Sequence, residues 1–122
     1  MANLSPTPQH SPRAPRLGEA ESWIGWRIDD LNGSMLGRVE RVVGDDSGAP
    51  AWLVIDEFRL GDGRKFLVPA YDAVGCGGRV WSPHLRSQVR DSAGLVGVGP
   101  FTPQADRRLR VHYAASSARR FA

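Results

Sequence analysis

The sequence predicts an all-β fold, a small barrel followed by two short C-terminal helices. The first observation is the order of features in residues 30–55, where a turn, a strand broken by glycine, a second turn and an apolar run follow one another. The second is the Gly77-Gly78 pair between two β segments, a strong signal for a two-residue hairpin. The third is the composition, because 14 glycines and 9 prolines suit short strands with tight turns and argue against long helices.

The 122 residues are enough for one domain with tails. Residues 1–22 hold four prolines among polar side chains and offer little to bury, which predicts a disordered tail. The barrel is predicted over residues 23–82, a helical extension over 83–115 and a frayed tail over 116–122.

The first predicted strand is regular. Residues 23–29 alternate in character, with Ile24, Trp26 and Ile28 on one face, which is the period of a strand. Asn and Gly in residues 30–33 tolerate positive φ and predict the turn that follows.

The second predicted strand, residues 35–44, cannot keep strict alternation, because Leu36 and Val39 are three residues apart. Gly37 lies between them and is the natural place for a bulge or a sharp bend. Bends of this kind let a short sheet curl into a barrel. We therefore expect a bulge at Gly37, with a positive φ.

The remaining strands follow in short order. After a turn at residues 45–48, residues 51–55 are apolar on both faces and predict the central, most buried strand. A strand over 65–69 ends at its proline, which has no N–H to donate. The glycine-pair hairpin then sets Val74 opposite Trp81.

Both predicted helices begin with a hydroxyl residue followed by proline, at Ser82-Pro83 and at Thr102-Pro103. The second helix is expected to end at about Ala115. Each helix carries one apolar pair four residues apart on one face: Leu85/Val89 and Leu109/Tyr113.

The net charge of +3 is unevenly distributed. Residues 23–82 carry seven Lys or Arg against nine Asp or Glu, whereas residues 83–122 carry seven Arg against two Asp. The single cysteine, Cys76, excludes an internal disulfide. No apolar run approaches the ~20 residues of a membrane span. The N-terminus lacks the basic-then-apolar pattern of a signal peptide, and we therefore predict a cytoplasmic protein.

The sequence contains no constellation for catalysis, and it predicts no enzyme, cofactor or metal. Its histidines, His10, His84 and His112, show no metal-binding spacing, and a Gly-x-Ser-x-Gly motif is missing. Three carboxylate pairs do not match a calcium-binding loop, and the first two lie in predicted turns, where Asp accepts backbone N–H groups. These pairs are Asp29-Asp30, Asp45-Asp46 and Asp56-Glu57.

Four tryptophans are more than the core requires. Trp52 and Trp81 fit buried strand positions, whereas Trp23 and Trp26 cannot both face inward unless their strand is covered on both sides. An exposed Trp would mark an interface, because Trp is enriched at binding hot spots; cover by the C-terminal helices is the other interpretation. We predict a homodimer or a complex with another protein through these candidates: Trp23, Trp26, Leu85, Arg86, Val89, Leu109 and Tyr113.

Several motifs, in this order and spacing, resemble the PRC-barrel family, the fold shared by the cytoplasmic H subunit of photosynthetic reaction centres and the C-terminal part of a ribosome-maturation factor. The resemblance spans about residues 23–113. Small free-standing members continue with a Pro-started helix and a late His-Tyr, as this chain does. The motifs are Ile24-Gly25, Asn32-Gly33, Leu36-Gly37-Arg38-Val39, Val42, Asp45, Trp52-Leu53-Val54, Leu67-Val68-Pro69, Gly77-Gly78-Arg79-Val80, Ser82-Pro83 and His112-Tyr113.

The resemblance implies a PRC-type barrel of about six strands, no catalytic residues and a protein-binding role. The chain lacks the membrane helix of the reaction-centre subunit and the upstream barrel of the ribosome factor, so neither function transfers directly. The sequence therefore predicts a non-enzymatic adaptor that binds another protein or itself. The alternative is an RNA- or ribosome-associated factor that uses the Arg-rich C-terminal helices to contact phosphates.

Overall fold

The computed structural model describes residues 14–57, 65–96 and 100–121, with side chains described as far as residue 115. Within these ranges the chain forms six strands and four helices. In chain order they are α1 (Leu17–Glu21), β1 (Arg27–Asp29), β2 (Met35–Gly44), β3 (Pro50–Asp56), β4 (Lys65–Pro69), β5 (Val74–Cys76), β6 (Arg79–Trp81), α2 (Arg86–Asp91), α3 (Ala93–Val96) and α4 (Pro103–Phe121).

The strands form one mixed sheet in the order β4-β3-β2-β1-β6-β5, and this sheet does not close into a barrel. Neighbouring strands are antiparallel except for the parallel pair β1–β6. The predicted all-β barrel with two short helices is therefore wrong. The fold is α+β, and its last helix is 19 residues long.

The free edge of β4 shows why the sheet stays open. The Leu67 N–H donates to Ser92 Oγ at 3.0 Å, and the Leu67 carbonyl accepts a hydrogen bond from the Tyr113 hydroxyl. Ser92 lies at the C-terminal end of α2 and Tyr113 on α4. Side chains of the helices thus take the backbone groups with which a closing strand would pair.

The first strand is shorter than predicted. Residues 22–25 form turns that continue from α1, with the Trp23 N–H donating to Ala20 O at 3.0 Å, and pairing begins only at Arg27. Trp23 is 2% exposed and packs on Gly75, whereas Ile24, predicted to share a strand face with Ile28, is 49% exposed while Ile28 is buried. Helix α1 also lies within residues 14–22 of the predicted disordered tail; residues 1–13 lie outside the described part of the chain.

The bulge in β2 is confirmed. The pairing register shifts opposite Ile28 and Asp29, and Gly37 has a φ of +152°. A Cβ at Gly37 would lie 2.3 Å from the Asp56 carbonyl oxygen on the neighbouring strand. Gly37 therefore lets two backbones approach more closely than any side chain would allow.

Other local predictions are confirmed as well. Strand β4 has the predicted bounds, and β3 is buried on both faces. The hairpin sets Val74 opposite Trp81, and both of its glycines have positive φ, 60° and 85°. Two positive φ values are the signature of the type I′ turn that matches the twist of the flanking strands.

The two faces of β3 belong to two hydrophobic cores. One face, with Leu53 and Ile55, joins the inner core, which also includes Ile28 of β1 and Val80 of β6. The other, with Trp52 and Val54, joins an outer core beneath α4, where it meets Leu67 of β4. The residues of α4 that close this outer core are Leu109 and Tyr113.

The two predicted helix starts have different outcomes. Helix α4 begins at Pro103 as predicted, and Thr102 Oγ1 accepts the Ala105 N–H at 3.1 Å, but the helix continues past residue 115 to 121. Helix α2 begins only at Arg86, because Asp30 Oδ2, from the turn after β1, accepts the Arg86 N–H at 3.0 Å. Among the helices of the described ranges, none has the length and hydropathy needed to cross a membrane.

Candidate functional site

The outer face of the sheet is covered over β3 and β4 and exposed over β1, β6 and β5. The exposed half carries Trp81, 38% exposed, and directly opposite it Val74, 45% exposed. The parallel β1–β6 register places Arg27 beside Arg79 and Asp29 beside Trp81. Cationic, aromatic and aliphatic side chains therefore meet on one exposed sheet surface.

A buried carboxylate holds two guanidinium groups on this surface. The Asp29 side chain is 0% exposed; its Oδ1 accepts from Arg27 Nε at 2.7 Å, and its Oδ2 accepts from Arg79 Nε at 2.6 Å and from Nη2 at 2.5 Å. The side chains of Arg27 and Arg79 remain 41% and 43% exposed. Because charge-assisted hydrogen bonds are short and directional, they hold both guanidinium groups in place at the surface.

Arg79 also stacks on Trp81, with its guanidinium carbon 5.4 Å from the ring centroid, within the range of a cation–π contact. Arg38 pairs with Arg27 across β1 and β2, is exposed, and donates from Nη1 to Gly25 O at 3.0 Å. We call the set Arg27, Arg38, Val74, Arg79 and Trp81 the Trp81 face.

The charge of the Trp81 face differs from that of the adjoining strands. Lys65 on β4 is matched by Glu40 at 2.6 Å and Asp56 at 3.5 Å, and the Glu40 hydrogen bond is the main cause of its raised pKa. On the Trp81 face, Arg27 and Arg79 share one carboxylate, the buried Asp29, whereas Arg38 donates to the Gly25 carbonyl and lies opposite Asp56 in the β2–β3 register. The three arginines therefore leave this surface net positive beside the exposed ring of Trp81.

A second polar cluster lies inside the molecule. His84 is 0% exposed, its Nε2 lies 2.9 Å from Asp72 Oδ2, and its ring makes an edge contact with Tyr113 at 4.6 Å between centroids. Burial raises the pKa of Tyr113. Through its contacts with Asp72 and Tyr113, the buried His84 joins the loop before α2 to α4.

Asp30 and Asp45 have the structural role that the sequence predicted for the acidic turns, whereas Asp29, also predicted to lie in a turn, belongs to β1. Asp30 Oδ1 accepts the N–H groups of Asn32 and Ser34 at 2.9 and 2.8 Å. Asp45 accepts from Ser47 and from the backbone, and the Ser47 hydroxyl is the main cause of its lowered pKa. In the ranges given above, no three His, Cys, Asp or Glu side chains are grouped to hold a metal ion.

The predicted interface residues do not form one exposed surface. Four of them are buried inside the chain: Trp23, Val89, Leu109 and Tyr113. The other three, Trp26, Leu85 and Arg86, are partly buried. Trp52 is buried as predicted, but Trp81, also predicted to be buried, is exposed.

The sequence contains a signal for the Trp81 face in residues 74–81. The hairpin register set Val74 opposite Trp81 correctly, and the Arg79 next to Trp81 in sequence already placed a charge on the same short strand. A charged residue in a three-residue strand favours an exposed outer face over a covered one.

No model of a known protein family matches this chain, and a search of curated proteins finds no relative of it.

Proposed function

We propose that this protein is a non-enzymatic adaptor that binds a protein partner, or a second copy of itself, through the Trp81 face. The observation that carries the proposal is the pair Arg27 and Arg79, held by the buried Asp29 beside the exposed ring of Trp81. A cytoplasmic location and a relation to the PRC-barrel family remain predictions from the sequence.

The composition and the rigidity of the Trp81 face support a protein interface. Trp and Arg are the residues most enriched at binding hot spots, and apolar neighbours such as Val74 exclude water from them. Because Asp29 already orients both guanidinium groups, the side chains of Arg27 and Arg79 lose less conformational entropy when a partner binds them. The net positive charge favours a partner surface that carries carboxylates.

The alternative, an RNA- or ribosome-associated factor, would use α4, where Arg107, Arg108 and Arg110 lie within one turn and are exposed. Arg110, however, is paired with Asp106 at 2.8 Å. On the Trp81 face, Arg79 occupies one side of the ring on which a base would stack. These observations favour the protein partner over RNA.

Affinity capture from the source cell, with and without RNase, tests the proposal. The partner protein should still be captured after RNase treatment. Trp81→Ala and Arg79→Gln should fail to capture it. The control variant Val111→Ala, which removes an exposed apolar side chain from α4, should capture it as the wild type does. The purified prey should bind the wild-type chain directly. Thermal melts of each variant check that it is folded.

Two results would count against the adaptor. Material that RNase removes, and that an Arg107→Gln, Arg108→Gln double variant fails to capture, would support the RNA alternative. If the captured protein binds Trp81→Ala as tightly as it binds the wild type, the interface lies outside the Trp81 face.

A further inference from the structure

The two edges of the six-stranded sheet differ in how their backbone groups are used. At the β4 edge, Ser92 and Tyr113 take the N–H and the carbonyl of Leu67. The other edge is β5, the last strand of the sheet, which pairs with β6 on one side. Within the described ranges, no residue outside β6 hydrogen-bonds the backbone of β5. A strand edge with unpaired backbone groups is a template on which another strand can pair.

The direction in which Gly75, the middle residue of β5, points follows from the pairing on the other side of β6. The Ser82 N–H donates to the Asp29 carbonyl on β1 at 2.9 Å. Because backbone groups alternate in direction along a strand, Val80, two residues earlier, also points towards β1. Val80 is the partner of Gly75 in the β5–β6 register, so these two form a non-hydrogen-bonded pair. The N–H and the carbonyl of Gly75 therefore point away from β6, towards the free edge.

Strand β5 carries none of the side chains that usually protect an edge, since it has neither a charged residue nor a proline. Val74 is 45% exposed, and Cys76 is exposed beside it on the outer face. On the inner side, Trp23 packs so closely on Gly75 that an added Cβ would lie 2.3 Å from its Nε1. A strand that pairs with β5 therefore meets two exposed backbone groups at Gly75, flanked on the outer face by two small apolar side chains.

We propose that two copies of this chain form a dimer by antiparallel pairing of their β5 edges, about a two-fold axis that passes between their Gly75 residues. Of the residues of β5, Gly75 presents both its N–H and its carbonyl to the edge, so this register gives two hydrogen bonds, one in each direction. Val74 of each copy then lies opposite Cys76 of the other. Because the strand is short, the dimer is small and exchanges with the monomer.

The charge distribution favours this arrangement over contact between two Trp81 faces. If two such faces met, the arginines of one copy would oppose the same arginines of the other, and like charges across an interface are unfavourable. The β5 edge carries no charged side chain, so two chains of net charge +3 can pair there without opposing charges. The second copy then lies at the margin of the Trp81 face and leaves both Trp81 rings exposed. The dimer goes beyond the proposed adaptor function, because it does not require the face to bind a partner.

Disulfide trapping of the purified full chain tests the dimer and its register. Opposite residues of a non-hydrogen-bonded antiparallel pair have Cα atoms about 4.5 Å apart, which a disulfide can bridge. Under mild oxidation, Val74→Cys should therefore form a covalent dimer, with residue 74 of one copy linked to Cys76 of the other. Two controls should stay monomeric: the wild type, and Val74→Cys combined with Cys76→Ser. In each control the two cysteines have the same number and lie on opposite sides of the axis, about 8 Å apart, too far for a disulfide.

Three results of the trapping experiment would overturn the proposal. The first is equal cross-linking of all three proteins, which random collision would produce. The second is no cross-linking of Val74→Cys. The third is a Val74→Cys that stays monomeric when purified but is cross-linked to another protein in a cell extract, which would assign the edge to a strand of a different chain.

Sedimentation equilibrium over a series of protein concentrations gives an independent measure. Cys76→Lys places a charge against Val74 of the other copy and should weaken the dimer about tenfold. Ser87→Lys adds the same charge at an exposed position of α2, which packs at the β4 edge, and should associate as the wild type does. Thermal melts check that both variants are folded. Equal association of Cys76→Lys and the wild type would overturn the dimer. Because Cys76 is not part of the Trp81 face, capture of a partner protein by Cys76→Lys tests the adaptor function separately.

Discussion

The two halves of the outer sheet face give two tryptophans different surroundings. On the β3–β4 half, Trp52 is 2% exposed beneath α4 and donates from Nε1 to Asp106 at 2.7 Å. On the β6 half, Trp81 is 38% exposed and stacks with Arg79 of its own strand. The covered half obtains its stability from a helix of the same chain. The exposed half keeps its aromatic ring in contact with solvent.

The two rings differ in the polarity of the residues that surround them. Around Trp52, the outward positions Val54 and Leu67 are apolar, so α4 can bury them without desolvating a charge. Around Trp81, the outward positions include Arg27 and Arg79, which a helix could cover only at a desolvation cost. We infer that the covered half serves stability and that the exposed half serves binding.

The largest expected effect tests the covered half. Leu109→Ala removes a side chain that is 0% exposed and leaves a cavity beneath α4, so the free energy of unfolding should fall by about 2–5 kcal/mol. Urea titration followed by Trp fluorescence measures this loss. A decrease below that of Trp81→Ala would show that α4 contributes little to the covered half.

A smaller effect is expected at the bulge between the two halves. Gly37→Val should cost about 1–3 kcal/mol, because its Cβ would meet the Asp56 carbonyl and its φ is positive. Gly48→Val is the matched control: its φ is +84°, but nothing lies within 4 Å of the added Cβ. Thermal melts should rank Gly37→Val below Gly48→Val, and equal melting temperatures would exclude the close contact as the cause.

The hydrogen bond from α4 to the β4 edge gives a prediction with a pH signature. Tyr113→Phe should cost about 1 kcal/mol by removing the donor to the Leu67 carbonyl. Burial raises the pKa of Tyr113, so the stability gained by the neutral phenol is complete below about pH 10 and is lost as pH rises towards the folded-state pKa. The wild type should lose stability faster than Tyr113→Phe above pH 10. Parallel pH profiles would contradict this.

The smallest effect on stability is expected on the exposed half. Trp81→Ala removes a partly exposed ring and its cation–π contact, so the free energy of unfolding should change by about 0.5–1 kcal/mol. The same urea titration as for Leu109→Ala measures it. A loss as large as that of Leu109→Ala would show that the ring is a core residue and would remove the distinction between the halves.

Local signals in the sequence predicted much of the sheet. The bounds of β2 and β4, the bulge at Gly37 and the start of α4 at Pro103 each depend on a few adjacent residues. Barrel closure failed because it depends on groups distant in sequence, Ser92 and Tyr113, that take the hydrogen bonds of the β4 edge.

The site was harder to predict than the sheet. Alternation predicts which residues share a face, but it does not predict which half of that face a later helix will cover. Trp81 was therefore assigned to the core, and the buried faces of the helices, with Leu109 and Tyr113, were assigned to an interface. Arg27 and Arg79 both reach Asp29 because β1 and β6 are parallel neighbours. No pattern of adjacent residues in the sequence predicts that contact.

The hydrogen bonds that Ser92 and Tyr113 make to the edge of β4 also bear on solubility. Phe66, Leu67 and Val68 form an apolar β segment whose outer backbone groups would be free to pair with another molecule if the helices left it. Ser92 and Tyr113 hydrogen-bond the N–H and the carbonyl of Leu67, so α2 and α4 prevent this edge from pairing with another molecule. Shortening the chain before residue 113 should therefore produce inclusion bodies and fibrils rather than a smaller folded protein.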